Sequence, residues 1–97
     1  MYQLIFKPRA VEMQMDAYLW YEQQSEGLGE LFLKELNHCY RKIQAFPSAY
    51  SMVKKDYRQM SLKRFPYLVV FKIKNADILV YAVFHTSRNP KEKTKRN

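Results

Sequence analysis

Tyr67-Leu-Val-Val-Phe-Lys-Ile-Lys74, followed by Asn75-Ala-Asp77 and then Ile78-Leu-Val-Tyr-Ala-Val-Phe-His85, is the stretch on which the fold turns. Its first part alternates, with Tyr67, Val69, Phe71 and Ile73 on one face and Leu68, Val70, Lys72 and Lys74 on the other. That period of two marks a strand with one core face. Asn75-Ala-Asp77 is a tight turn, so the two runs pair as an antiparallel hairpin. The Ile78 run is apolar on both faces, as a central strand is. A third candidate, Tyr57–Leu62, precedes them. The face carrying Tyr67, Val69, Phe71 and Ile73 needs a cover, and the rest of the chain has to supply it.

Upstream the period changes to 3.6. Tyr2–Lys7 reads as a short first strand closed by Pro8, a residue suited to the first helical turn. From Arg9 to about Gln24, Val11, Met15, Tyr18 and Leu19 recur at i, i+4, i+7 and i+8, predicting a helix that buries this stripe. Ser25-Glu26-Gly27 ends it, with Gly27 suited to a left-handed cap. A second stripe, Phe32, Leu36, Cys39, Tyr40 and Ile43, runs to Phe46-Pro47, where the residue before proline leaves helical geometry. The short link implies an antiparallel helical hairpin. The expected order is βααβββ, an α+β fold in which the hairpin packs on an antiparallel sheet. The 97 residues form one domain (1–97), with 91–97 a charged tail.

Composition narrows function. The longest apolar run falls far short of the roughly 20 residues of a membrane helix, so no membrane association is expected. No signal peptide is visible, and one cysteine, Cys39, fits a reducing cytoplasm. One cysteine and two separated histidines provide no zinc cluster, and two glycines build neither a phosphate loop nor a dinucleotide fingerprint. No metal and no cofactor are expected.

The net charge of +8 is unevenly placed. Residues 1–50 hold five basic and six acidic side chains, whereas residues 51–97 hold twelve and three. Lys54, Lys55, Arg58, Lys63, Arg64, Lys72, Lys74 and Arg88 fall on or beside the expected sheet. Such a field attracts phosphates, with Tyr57, Phe65, Tyr67 and Tyr81 available to stack bases, and it serves an acidic protein partner equally well. Its bland counterpart is solubility and protection of strand edges. His85 and Arg88 could promote attack of a ribose 2′-hydroxyl on the adjacent phosphate without metal. The competing reading is a half-buried histidine bonded to a neighbouring strand, with Arg88 solvated. His38 reads as surface, Cys39 as a small core residue, and Glu22, Glu26 and Glu30 as a solvated face.

Three stretches, Gly27-Leu-Gly-Glu-Leu-Phe-Leu-Lys-Glu-Leu36, Leu62-Lys-Arg-Phe-Pro-Tyr-Leu-Val-Val-Phe71 and Tyr81-Ala-Val-Phe-His-Thr-Ser-Arg-Asn-Pro90, occur in this order on a βααβββ chain. In them the chain resembles the RelE/ParE toxin superfamily of bacterial type II toxin–antitoxin systems, the plasmid-stabilisation type, over residues 4–90. The resemblance implies a cytoplasmic growth-inhibiting toxin, neutralised by an acidic antitoxin in a hetero-oligomer. It leaves two targets: RelE-like members cut mRNA in the ribosome without metal, and ParE-like members inhibit DNA gyrase. RelE-like nucleases carry an arginine where this chain has Leu68, and a C-terminal acid/base group where it has only Lys91–Asn97. Arg64, His85 and Arg88 remain as candidate catalytic residues, with Arg58, Lys63, Lys72 and Lys74 for phosphate, target or antitoxin. The resemblance with these departures favours the branch that is ParE-like or of uncharacterised target, over a metal-independent endoribonuclease and over a non-toxic nucleic-acid-binding homologue.

Overall fold

Pro8 opens the first helix as expected: its missing N–H needs no partner, and the Lys7 carbonyl accepts the N–H groups of Ala10 and Val11. The computed structural model describes residues 2–87. Its elements are β1 (Gln3–Phe6), α1 (Pro8–Gln24), α2 (Leu28–Ala45), a 3₁₀ turn (Pro47–Ala49), β2 (Met52–Lys54), β3 (Tyr57–Ser61), β4 (Tyr67–Lys74) and β5 (Asp77–His85). The order in the sheet is β1-β5-β4-β3-β2. Strands β2 to β5 are antiparallel neighbours, and β1 joins parallel to β5, so the sheet is mixed. Strand β2 adds an edge that three-residue alternation is too short to reveal in the sequence.

The α1–α2 link depends on Gly27, which takes φ 87°, the left-handed region glycine enters without steric cost. Glu22 then works locally. Its carboxylate accepts the N–H groups of Gly27 and Gly29, both at 2.8 Å, where the α2 dipole is positive. Glu22 is thus a helix cap and not part of a purely solvated face. Gly29 is held against the Tyr18 carbonyl, which an added Cβ would meet at 2.7 Å.

Helix α2 buries the expected stripe: Phe32, Leu36, Cys39, Tyr40 and Ile43 are all in the core, and burial raises the Cys39 and Tyr40 pKa values. Helix α1 does not. Val11, Met15 and Leu19 are 51%, 53% and 48% exposed, while Ala10, Ala17 and Tyr21 are buried and Met13 is half-buried. The cause is close approach. Helix α1 packs close to both β5 and α2, and the alanines buried on its inward side, Ala10 and Ala17, let its backbone come near. The sequence pattern weights large side chains, and this contact is made by small ones.

Strand β4 points Tyr67, Val69, Phe71 and Ile73 at the helices, as predicted. Strand β5 contains a register shift: Phe71 pairs with Val80 and Val70 with Ala82, leaving Tyr81 as an extra residue. The bulge reverses the facing of the residues beyond it. Ile78, Val80 and Val83 lie in the main core, whereas Ala82 and Phe84 join Leu68 in a second buried cluster on the far side of the sheet, with Met13 and Val70 against it.

Candidate functional site

The basic residues of the second half divide between two faces and two ends of the sheet. Strand β4 is the ruler. Its Tyr67 end lies beside His85, and its Lys72–Lys74 end lies beside Leu79 and Asp77. Tyr67 and Lys72 are five positions apart, about 17 Å of extended chain.

At the Tyr67 end, the loop joining β3 to β4 carries Lys63 and Arg64. Glu35 of α2 holds it. The Glu35 carboxylate accepts the backbone N–H groups of Lys63 and Arg64, the latter at 2.9 Å, and the Arg64 Nε–H at 3.2 Å. Burial alone would raise the Glu35 pKa, but these donors outweigh it and keep the carboxyl below its ordinary value. Arg64 is therefore tied to a cis carboxylate. The loop is also closed by Leu62 N–H to the Tyr67 carbonyl and by Thr86 N–H to the Pro66 carbonyl, at 2.9 and 2.8 Å.

His85 ends β5 at this same end. Its register partner is Tyr67, and the two rings meet edge to face at 5.1 Å. Its Nδ1 accepts the Ser87 N–H at 3.1 Å, which places the ring proton on Nε2. Tyr67 is core, so His85 is a half-buried ring on the helix-covered side of the sheet. Arg88 lies outside the described residues. Arg58 also faces the helices: its guanidinium donates to the Tyr50 carbonyl at 2.7 Å and the Ser48 carbonyl at 3.3 Å, fastening the segment before β2.

The other end gathers a different set. Tyr57 is level with Lys72, and the Lys72 ammonium lies 5.3 Å from the Tyr57 ring centre and 4.0 Å from Asp56. The Tyr57 ring meets the Tyr81 ring edge to face at 5.1 Å. The Lys7 ammonium lies 5.4 Å from the Tyr81 ring centre. Lys74 is exposed beyond them. Lys7 came from the half of the sequence without basic excess. Parallel pairing of β1 with β5, including Lys7 N–H to the Val80 carbonyl at 2.9 Å, brings it there. Of the four aromatics proposed as base platforms, Phe65 and Tyr67 are core residues, and only Tyr57 and Tyr81 are partly accessible.

Next to the Tyr67 end, on the far side of the sheet, lie Leu68, Ala82 and Phe84, all buried and apolar. Among the described residues, no group of three or more His, Cys, Asp or Glu side chains could hold a metal ion, and no helix is long and apolar enough to cross a membrane.

A helical hairpin on a five-stranded sheet is a fold this chain shares with solved structures from type II toxin–antitoxin systems. The fold is similar to a chain of the chromosomal ParDE toxin–antitoxin system from P. aeruginosa (TM-score 0.80, 14% identity, covering 90% of this chain and 98% of that one). It is also similar to the isolated E. coli RelE toxin (TM-score 0.58, 19% identity, 99% and 98%) and to a chain of the intact E. coli RelBE toxin–antitoxin complex (0.58, 18%, 91% and 100%). No curated protein matches the sequence. The family model described as ParE toxin of type II toxin-antitoxin system, parDE, matches residues 4–90, and the chain belongs to that family.

Proposed function

We propose that this toxin arrests growth by binding its target, in the ParE manner, and that an acidic antitoxin neutralises it in the cytoplasm. DNA gyrase is the target implied by the ParE-like resemblance. The observation that carries the reading is the occupation of the far face of the inner strands β4 and β5, near the His85 end, by Leu68, Ala82 and Phe84. Metal-free RNA cleavage needs donors aimed at a pentacovalent phosphate and a proton shuttle nearby. Here Leu68 stands at the position of a nuclease arginine. The Arg58 guanidinium is held by main-chain carbonyls, and His85 packs against Tyr67 on the opposite side of the sheet from Leu68. These placements support recognition over cleavage.

The test is inducible expression, followed by gyrase supercoiling and ribosome-dependent mRNA cleavage assays with purified protein. Growth arrest with supercoiling inhibited and mRNA intact is the expected result. Cleavage of ribosome-bound mRNA that disappears in His85→Ala would overturn the reading in favour of an endoribonuclease. Arrest with neither process affected would refute gyrase as the target.

A further inference from the structure

The cluster at the Lys72 end was assembled by no motif in the sequence. Lys7, Tyr81, Tyr57 and Lys72 form a continuous chain of contacts, 5.4, 5.1 and 5.3 Å in succession, contributed by the β1–α1 junction, the β5 bulge, β3 and β4. All four side chains are half-buried. We propose that this quartet is the anchor for carboxylates of an acidic, partly apolar peptide segment, the segment by which the antitoxin grips the toxin. The inference rests on the antitoxin reading above and specifies where that grip is made.

Three observations choose this ligand class. First, each ammonium lies over a ring face, which holds the long lysine side chain in place before any ligand arrives. Binding then orders little that was free, and preorganisation of this kind favours affinity. Second, Val70 and Leu79, both partly exposed, adjoin Lys72 in the sheet, so apolar side chains of a peptide find surface beside the charges. Among the described residues, the carboxylate paired with either ammonium is Asp56, 4.0 Å from Lys72 and 74% exposed, a solvated pairing that neutralises little. Third, the arrangement suits nucleic acid poorly. The ring faces that bases would stack on are covered by ammonium groups. The forked guanidinium that matches phosphate is absent from the quartet, and Arg58 is held by main-chain carbonyls on the other face of the sheet. Lysine as a point charge, placed beside apolar surface, matches Asp and Glu on an amphipathic segment.

The experiment uses the full chain and a fluorescent amphipathic peptide with Glu and Leu at helical spacing, read by anisotropy. A Gln-for-Glu version of the peptide and a single-stranded oligouridylate are run beside it. The acidic peptide should bind, with affinity falling as salt rises. Lys7→Gln and Lys72→Gln should each weaken it by about tenfold, as loss of a partly desolvated charge pair does. The double Lys→Arg variant, which keeps both charges, should bind within a few-fold of the parent. Lys34→Gln, on the exposed face of α2, should change nothing. Circular dichroism and melting of each variant establish that the fold is intact. Binding unchanged in the double Lys→Gln variant would overturn the proposal. So would oligouridylate binding tightly and being lost in that variant while the peptide is unaffected, an outcome that makes the quartet a nucleic-acid site. Growth arrest by the unmodified toxin is scored separately. A toxin that fails to arrest growth while the quartet still binds the peptide refutes the proposed function alone.

Discussion

Replacing Glu35 tests how the basic loop is held. The carboxylate accepts two backbone N–H groups, from Lys63 and Arg64, and one guanidinium N–H. The guanidinium bond adds little, because the Arg64 side chain is 74% exposed and screened by water. The two backbone bonds to a charged acceptor, beside a Glu35 side chain only 9% exposed, carry the effect. Net values for such bonds run near 1.5 kcal/mol each, and less where the released N–H groups reach water, so Glu35→Ala should cost about 2 kcal/mol. In a domain of this size that lowers Tm by roughly 8–16 °C. Glu35→Gln keeps one neutral acceptor and should lose about half as much.

The pH dependence gives an independent check. The folded-state pKa of Glu35 lies below the ordinary value of 4.5. Its contribution is therefore fully present above the ordinary value and lost as pH falls through the folded value. The gap in stability between parent and Glu35→Gln should be widest near neutrality and narrow on acidification below pH 4.5. Urea denaturation across that range measures it, and hydrogen exchange at Lys63 and Arg64 should rise in parallel. A gap under about 0.5 kcal/mol at neutral pH, or one that does not narrow in acid, would refute the reasoning.

Further substitutions probe the rest of the design. Ala17→Leu should destabilise by about 1–3 kcal/mol through overpacking of the core, while Leu19→Gln two positions on should stay within about 0.5 kcal/mol; thermal melts decide which face of α1 is inward. Gly29→Ala should lower stability by about 1–2 kcal/mol despite alanine's better helix propensity, because the Tyr18 carbonyl cannot yield as a side chain can; denaturant titration reads it. His85→Ala should lose about 0.5–1.5 kcal/mol of ring packing against Tyr67 yet leave growth arrest intact, the arrest being scored on induced cultures.

The hairpin of β4 and β5, the stripe of α2 and the helix breaks at Gly27 and Phe46-Pro47 were legible in the residues. Each depends on local physics: side-chain alternation, the 3.6 period, a left-handed glycine and the restriction before proline. The outward stripe of α1 was not legible, because a pattern of large apolar residues does not reveal that alanines will make the closest contact. Nor was the reversal at Tyr81. Strand β5 is apolar on both faces, so a one-residue bulge changes which side chains face the helices without leaving a mark in the composition.

The candidate site divides along the same line. The sequence alone determined that the second half is basic and that the chain resembles the RelE/ParE superfamily, a resemblance that implies an arginine in the nuclease members where this chain has Leu68. It could not determine which cations act together. Arg58, Arg64 and His85 are adjacent to the basic sheet in sequence but are turned to main-chain carbonyls, to Glu35 and to Tyr67. Lys7, from the opposite end of the chain, joins Lys72 through two tyrosines. Charge is a property of residues and survives any fold. Proximity across a sheet depends on strand order, register and a single bulge, and those are decided only when the whole chain packs.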